Sequence, residues 1–365
     1  MIEKEKELFK NLCSFRSESF DEKLLEAATP AVLGHLFFNR MAAIAYGTLE
    51  KCKLLSKVNR EFRNSLKGAY EQNLEKNTNF FQCVQEVENI ISQCNCNYAL
   101  LKGAYLCKAY PEGYRTSNDI DILVHPNDVT EVGNALLKAG FMQGNVRGGK
   151  FETATRKEII ESKMMRGETV PYIKEVNFPH MKFLEVDINF SLDYKPGDIN
   201  LIEEMMNNST SVYLGDFSVR TLNSDDFFIH LCSHLYKEAT TLPWIEMMRD
   251  MTLYKYCDIY MILNDVNKEQ INCLFKRAEK LGMEKVCAFA VLHMSQLFNF
   301  NNLYAVDVAH KILSDDCDFV HMVVSPSEKK KYIFIEKNIF ERFFADDRKI
   351  LLEEVENNES TKYEG

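Results

Sequence analysis

The chain has 365 residues, of which 46% are hydrophobic and 27% charged, an ordinary make-up for a soluble globular protein with room for two or three folding units. Its formal charge of −10 argues against a general grip on nucleic acid, which needs basic surface to displace counterions, but leaves room for a locally basic pocket that takes one nucleotide. No run of about 18 apolar residues marks a membrane span, and the charged start Met-Ile-Glu-Lys-Glu-Lys-Glu lacks a signal-like apolar stretch. No membrane partner and a cytoplasmic place are expected.

Residues 1–97 read as an N-terminal helical region. Apolar positions recur at threes and fours through Val32, Leu33, Leu36, Phe37, Met41, Ile44 and Ala45, and again from Phe80 through Val84, Val87, Ile90 and Ile91. Asn97 and Tyr98 are expected to end the last of these helices. Cys94 and Cys96 form the one close cysteine pair, with no second pair downstream as a zinc ribbon requires, so the eleven cysteines are read as buried free thiols.

Residues 98–215 change character. Ala99, Leu100 and Leu101 open a short strand, and residues 120–124 form an apolar strand stopped by His125 and Pro126. A helix then starts at Asn127 or Asp128, turns Val129, Val132, Leu136 and Leu137 inward, and is closed by Gly140. Residues 183–190 alternate, with Leu184, Val186, Ile188 and Phe190 on one side and Glu185, Asp187 and Asn189 on the other. Between these elements, residues 145–176 read as an insertion with Gly144, Gly148 and Gly149 at its mouth. Its Arg147, Lys150, Arg156, Lys157, Lys163 and Arg166, mixed with glutamates, fit either a solvated helix and hairpin or a lid lending cations to a phosphate or acceptor.

Residues 216–365 read as a C-terminal helical domain. Ser224, Asp225 and Asp226 are placed to cap a helix carrying Phe227, Ile229, Leu231, His234 and Leu235. Further helices are expected near 247–264, 267–281 and 283–298, with a frayed tail over 357–365. The three lysines at 329–331 read as a solvated patch. Strand, helix and strand at the centre, with helices on either side, make an α+β protein.

The chemistry concentrates at the central strands. Asp119 abuts the apolar run and Asp121 interrupts it; side chains two apart on a strand leave the same face. Adjacent carboxylates repel and desolvate poorly unless cations sit between them, so such a strand suits magnesium and, through it, a triphosphate. Asp187 sits on the polar side of its own strand. If the two strands pair, three carboxylates converge, an arrangement that holds two divalent ions about 4 Å apart and offers a proton acceptor for a hydroxyl.

The segment Tyr98-Ala-Leu-Leu-Lys102-Gly103-Ala104-Tyr-Leu, followed by Tyr110-Pro111, Arg115 and Asp119-Ile-Asp121-Ile-Leu-Val124, resembles the signature of the polymerase-β-type nucleotidyltransferase superfamily. More narrowly it is similar to the bacterial uncharacterised nucleotidyltransferase family, a resemblance that spans roughly residues 30–300 and includes His230-Leu-Cys-Ser-His234-Leu-Tyr-Lys237 and Asp258-Ile-Tyr260. The resemblance implies a nucleotidyltransferase-like mixed sheet with flanking helical regions. It implies Asp119 and Asp121 as metal ligands, and Asp187 as third ligand and base for the acceptor. It also implies that Gly103 lets the backbone approach the phosphates and that Arg115 pairs with phosphate or orients a carboxylate. The superfamily has Gly-Ser or Gly-Gly where this chain has Lys102-Gly103-Ala104; Lys102 would replace the serine hydroxyl with a charged contact. Ser117, His234 and Lys237 complete the expected substrate-binding set.

The activity so implied is transfer of a nucleoside monophosphate from a nucleoside triphosphate, ATP foremost, to a hydroxyl or phosphate of a small-molecule or peptide acceptor. Pyrophosphate is released, and two Mg2+ or Mn2+ ions take part. Adding AMP to a partner protein's side chain, or binding nucleotide without catalysis, are the alternatives. His230 and His234 lack the His-Glu-x-x-His pattern of a metalloprotease and read as core histidines or, for His234, as a group turned toward the triphosphate. Asp258 reads as orienting another side chain, and Trp244 with the tyrosines of 254–260 reads as core more than as a base-stacking platform.

Overall fold

The computed structural model describes residues 1–192 and 199–355. In chain order its helices are α1 (Glu3–Cys13), α2 (Pro30–Phe38), α3 (Ala42–Lys51), α4 (Arg60–Ile91), α5 (Gly103–Ala109), α6 (Val129–Lys138), α7 (Arg156–Arg166), α8 (Ile199–Asn207), α9 (Ser224–Ala239), α10 (Leu242–Glu246), α11 (Leu253–Leu263), α12 (Lys268–Lys280), α13 (Glu284–Leu297), α14 (Leu303–Ile312) and α15 (Ile339–Phe343). The strands are β1 (Tyr98–Leu100), β2 (Asp119–Val124), β3 (Met142–Arg147), β4 (Lys150–Thr153), β5 (Tyr172–Phe178), β6 (Met181–Asn189), β7 (Thr210–Leu214), β8 (Phe217–Thr221), β9 (Met322–Ser325), β10 (Lys330–Phe334) and β11 (Leu352–Glu354). They divide into two compact units, Phe20–Leu231, and Met1–Ser19 with Cys232–Gly365. Residues 20–97 of the N-terminal helical region thus share a unit with the central strands, while 1–19 go with the C-terminal helices. The tail expected to fray, 357–365, lies outside the described residues.

The unit Phe20–Leu231 is built on an eight-stranded sheet in the order β4-β3-β5-β6-β2-β1-β8-β7. The β2–β6 and β1–β8 pairs are parallel, whereas β1–β2, β5–β6, β3–β5, β3–β4 and β7–β8 are antiparallel. This is the mixed α+β architecture expected. Helix α4 starts where Asn59 accepts a hydrogen bond from the Phe62 amide at 2.8 Å and buries a stripe of Phe62, Leu66, Asn77, Phe80, Val84, Val87 and Ile91. It ends at Ile91 rather than near Asn97; in the next turn Ser92, Gln93 and Asn95 are exposed and Cys94 is only half-buried, too little to continue the apolar stripe. In α6 the inner stripe is Val129, Val132, Gly133 and Leu136, and Leu137 is 46% exposed. The spacing i, i+3, i+4, i+7 selects position 133 over 137, and a Cβ at Gly133 would collide with the Tyr172 hydroxyl.

Residues 145–176 combine sheet and helix: the end of β3, all of β4 and most of β5 join the sheet, with α7 between β4 and β5. The β3–β4 hairpin turns on Gly148 and Gly149, whose φ values of 57° and 73° suit glycine, and β5 pairs with both β3 and β6. Helix α7 opens with a capping box between Thr155 and Glu158. Three of the segment's cations bond to its own glutamates: Arg147 to Glu152 and Glu158, Lys157 to Glu161, and Arg166 to Glu168. These pairs are ones a solvated helix and hairpin would make.

At the start of α9, Asn223 Oδ1 accepts from the Asp225 and Asp226 amides, both at 3.0 Å, so the cap is Asn223 instead of the Ser224-Asp225-Asp226 run. In the second unit the helix expected from 247 begins only at Leu253. Met248 has φ 57°, and Asp250 is drawn into a buried ion pair with Arg348, whose Nη2 lies 2.7 Å from Asp250 Oδ1. Tyr256, Tyr260, Phe289 and Phe298 are buried around α11 and α13, with Tyr260 stacked on Phe298 at 4.7 Å. A three-stranded antiparallel sheet, β11-β10-β9, was not expected in this helical stretch. Its Lys330 makes a surface pair with Glu354 at 2.8 Å, in keeping with a solvated lysine patch. All eleven cysteines are free, Cys94 and Cys96 half-buried and Cys273 and Cys317 exposed, so burial holds for only part of the set. Among the described residues no helix is long and apolar enough to cross a membrane.

Candidate active site

Strands β2 and β6 place the acidic residues. Their parallel register sets Asp119 opposite Glu185, Asp121 opposite Asp187 and Leu123 opposite Asn189. Residues paired across neighbouring strands project from the same face, so Asp119, Asp121, Glu185, Asp187 and Asn189 share one. The alternate positions Ile120, Ile122, Val186 and Ile188 are fully buried on the opposite face, which fixes the register, since a one-residue slip would exchange carboxylates for isoleucines.

The turn from β1 into α5 brings Lys102 and Gly103 to this face. Lys102 Nζ lies 2.9 Å from Asp121 Oδ1, and Asn189 Nδ2 lies 3.3 Å from the same oxygen. Lys102 has φ 36° and ψ −106°, a conformation an L-residue adopts only under restraint. A Cβ on Gly103 would lie 2.5 Å from Ser117 Oγ, 2.7 Å from Ser117 Cβ and 3.2 Å from Asp119 O. In this structure, then, the loop before β2 packs over Gly103. Ser117 Oγ donates to Asp119 Oδ1. Arg115, largely buried, donates through Nη1 to the Thr116 carbonyl.

The electrostatics are lopsided. Burial pushes Asp187 well above the usual carboxylate range, and Asp121, Glu168 and Asp119 push it further against the single opposing charge of Lys102. Burial also raises Asp121, with Lys102 opposing and Asp119 adding to the rise. Asp119 goes the other way: burial is outweighed by the Ser117 bond, Lys102 and Arg115. Burial opposes the charge of Lys102, but Asp121, Asp119 and Glu168 hold its ammonium above its ordinary range. The direction that follows is a protonated Lys102 seated on Asp121 and a proton retained by Asp187, because acid outnumbers base here.

Sequence reasoning missed two contributors. Glu168, after the Gly167 cap of α7, bridges antiparallel to Asn189 and so joins the acidic face; no motif marks it. Lys76 on α4 donates to Asn118, the residue before Asp119. The signal for α4 is Asn77, a buried polar residue inside an apolar stripe.

His234 and Lys237 belong to the other compact unit. There His234 Nε2 lies 3.3 Å from Glu238 Oε1 and 3.4 Å from Lys255 Nζ. Burial would raise Glu238, but His234 and Lys255 hold it far below the ordinary carboxylate range. Lys237 accepts the Thr241 hydroxyl at its main-chain carbonyl. Lys255 lies 5.8 Å from the ring centroids of both Trp244 and Tyr254, while Tyr256 and Tyr260 are core. His230 and Asp258 are buried on α9 and α11.

Among the described residues no three His, Cys, Asp or Glu side chains form a ready metal cage. At Asp121 the Lys102 ammonium occupies the position of a cation. The donors gathered around it are hard carboxylate oxygens, the ligand chemistry of Mg2+ or Mn2+.

The family described as "Uncharacterised nucleotidyltransferase" matches residues 28–299. Among solved structures, the chain is similar to an antigenic nucleotidyltransferase-like protein from Paracoccidioides brasiliensis, at 12% identity over 58% of this chain and 92% of that one. The TM-score is 0.32, a likeness of shape too faint to carry an argument. No curated protein matches by sequence.

Proposed function

Because the chain belongs to the uncharacterised nucleotidyltransferase family, we propose that it moves a nucleoside monophosphate from a nucleoside triphosphate, ATP foremost, to a hydroxyl or phosphate of a small-molecule or peptide acceptor. A general role in nucleotidyl transfer follows from the membership; the donor, the acceptor and the metal are the finer reading. The observation that carries it is the parallel register that pairs Asp121 with Asp187 and puts Asp119 on the same face.

In this reading Asp119, Asp121 and Asp187 would hold two Mg2+ or Mn2+ ions, which would supply the positive charge that offsets the charge building on the phosphoryl oxygens. Lys102, seated on Asp121 in the metal-free protein, would turn its ammonium to phosphate in place of a serine hydroxyl. Ser117 keeps Asp119 oriented through its hydroxyl bond, and Gly103 keeps the loop close to α5. The acceptor oxygen attacks the α-phosphorus, the bond from that phosphorus to the pyrophosphate oxygen breaks, and the acceptor proton passes to an Asp187 oxygen. The proton that Asp187 holds in the metal-free protein would first be displaced by bound metal, which leaves a carboxylate able to take the acceptor's proton.

The test is a screen of the four nucleoside triphosphates, with Mg2+ or Mn2+, for pyrophosphate release in the presence of small-molecule and peptide fractions. Release that needs both metal and an acceptor fraction supports the reading; nucleotide bound without any release under all of these conditions defeats it.

A further inference from the structure

In α15 the spacing of Ile339, Arg342 and Phe343 puts an arginine on the helix face that packs inward, and Arg342 is 1% exposed. A guanidinium keeps its charge at any ordinary pH and carries N–H donors on all three nitrogens. Yet Nε and Nη1 of Arg342 have no hydrogen-bond partner among the described residues. The Phe334 ring centroid lies 4.2 Å from the guanidinium carbon; the ring face offsets part of the charge but gives the N–H groups no acceptor. The third nitrogen, Nη2, lies 3.3 Å from His293 Nε2, which in turn lies 3.0 Å from the Val320 carbonyl. Burial and Arg342 hold His293 well below its ordinary value, so the ring is neutral and has a single N–H, and one ring nitrogen cannot donate and accept at once. With the proton on Nε2 for the shorter contact, Arg342 Nη2 faces another donor. With it on Nδ1, toward the Tyr256 hydroxyl at 3.5 Å, the Val320 carbonyl loses its donor. His321, next in the chain after Val320, has a buried Nδ1 that is also without a partner.

The carboxylates around this cluster are engaged elsewhere. Both oxygens of buried Asp250 lie 2.9 Å from Arg348 Nε, and Oδ1 lies 2.7 Å from Arg348 Nη2. Glu336 accepts from the Asn338 amide at 2.8 Å, and Asp318 pairs with Lys337 at 3.2 Å. Two buried guanidiniums, Arg342 and Arg348, thus share one buried carboxylate, an excess of one positive charge among the rings of Tyr256, Phe289 and Phe334. A buried charge left uncompensated is costly, and buried donors are as a rule satisfied. What the cluster lacks is one negative charge on oxygens that several N–H groups can reach.

We propose that Arg342, with His321 beside it, binds a planar monovalent oxyanion, a small carboxylate, inside the unit that does not hold the central strands. A single charge matches the excess of one, and a flat carboxylate matches the guanidinium fork. Sulfate or phosphate, with up to two charges, would overcharge an interior walled by aromatic rings and give up more hydration. The proposal does not depend on nucleotidyl transfer. The full chain is dialysed exhaustively against chloride buffer; the anions it releases on denaturation are measured by ion chromatography, and its uptake of radiolabelled acetate by equilibrium dialysis. Released and retained carboxylate together should amount to a single anion per chain. Acetate and formate should raise the thermal midpoint by mass action, while chloride, sulfate and phosphate at the same ionic strength should not. Arg342→Met should lose about tenfold or more in acetate affinity, as for a lost charge-assisted hydrogen bond, and in chloride alone should melt no lower than the wild type, since it removes an uncompensated charge. His321→Ala, at a half-buried position, should weaken acetate binding and serves in place of Arg342→Met should that variant fail to fold. No carboxylate released or taken up by the wild type, a preference for phosphate or sulfate, or unchanged acetate affinity in either folded variant overturns the proposal.

Discussion

Asp187→Asn should stabilise the metal-free protein while destroying its activity. Asp187 carries a carboxyl that burial, Asp121, Glu168 and Asp119 all push upward, against Lys102 alone. Each unit of such a rise costs the folded state about 1.4 kcal/mol once the unfolded carboxyl is ionised. An isosteric amide removes that cost, so a thermal midpoint above that of the wild type is expected at neutral pH. The sign with pH follows. A raised carboxyl contributes full stability below its unfolded value near pH 4 and loses it as pH rises toward its folded value. The advantage of Asp187→Asn over wild type should therefore vanish near pH 4 and grow toward neutrality. Asp121→Asn should move the other way, because it strips Lys102 of the partner 2.9 Å away and leaves a largely buried ammonium, at a cost of about 1–3 kcal/mol. Differential scanning calorimetry of the three proteins from pH 4 to 8 measures both effects. A fall in midpoint for Asp187→Asn at neutral pH, matching that of Asp121→Asn, would refute the picture of an acid-heavy cluster.

Three further outcomes are expected. Added Mg2+ should raise the wild-type midpoint by mass action and leave that of Asp187→Asn nearly unmoved, measured by the same calorimetry. Gly103→Ala should cost about 1–3 kcal/mol by overpacking, since its Cβ would lie 2.5 Å from Ser117 Oγ; adding Ser117→Gly should recover most of that loss in urea denaturation. Arg348→Met should cost about 3–5 kcal/mol by leaving Asp250 buried and unpaired. Denaturation followed in both units would show the loss beginning in the unit that holds the pair.

What was legible in the sequence follows from period and sign. The two-residue alternation of 183–190 told which side Asp187 takes, and the apolar run broken by Asp121 told the same for β2, because a buried face tolerates no other register. The pairing of β2 with β6, which brings those sides together, was an inference from the carboxylates and not from any local pattern. Glu168 was illegible: a glutamate after a helix-capping glycine looks like any solvated turn, and only the bridge to Asn189 reveals its face. Lys76 was hidden among the many charges of α4, although buried Asn77 next to it hinted at a polar contact there. The inward placement of Leu137 failed because Gly133 has no side chain to register as apolar, yet it is the position that packs. The sheet β9–β11 went unseen because short strands separated by helical turns leave no sustained alternation.

The most direct test of the account is the fate of a radiolabel in the triphosphate. With wild-type protein, Mg2+ and an acceptor fraction, label in the α-phosphate should pass to the acceptor and label in the γ-phosphate should appear only in pyrophosphate, with at least about a hundredfold loss in Asp119→Asn, Asp121→Asn and Asp187→Asn. Transfer of the γ-label to the acceptor, or α-transfer that survives in those folded variants, would contradict it.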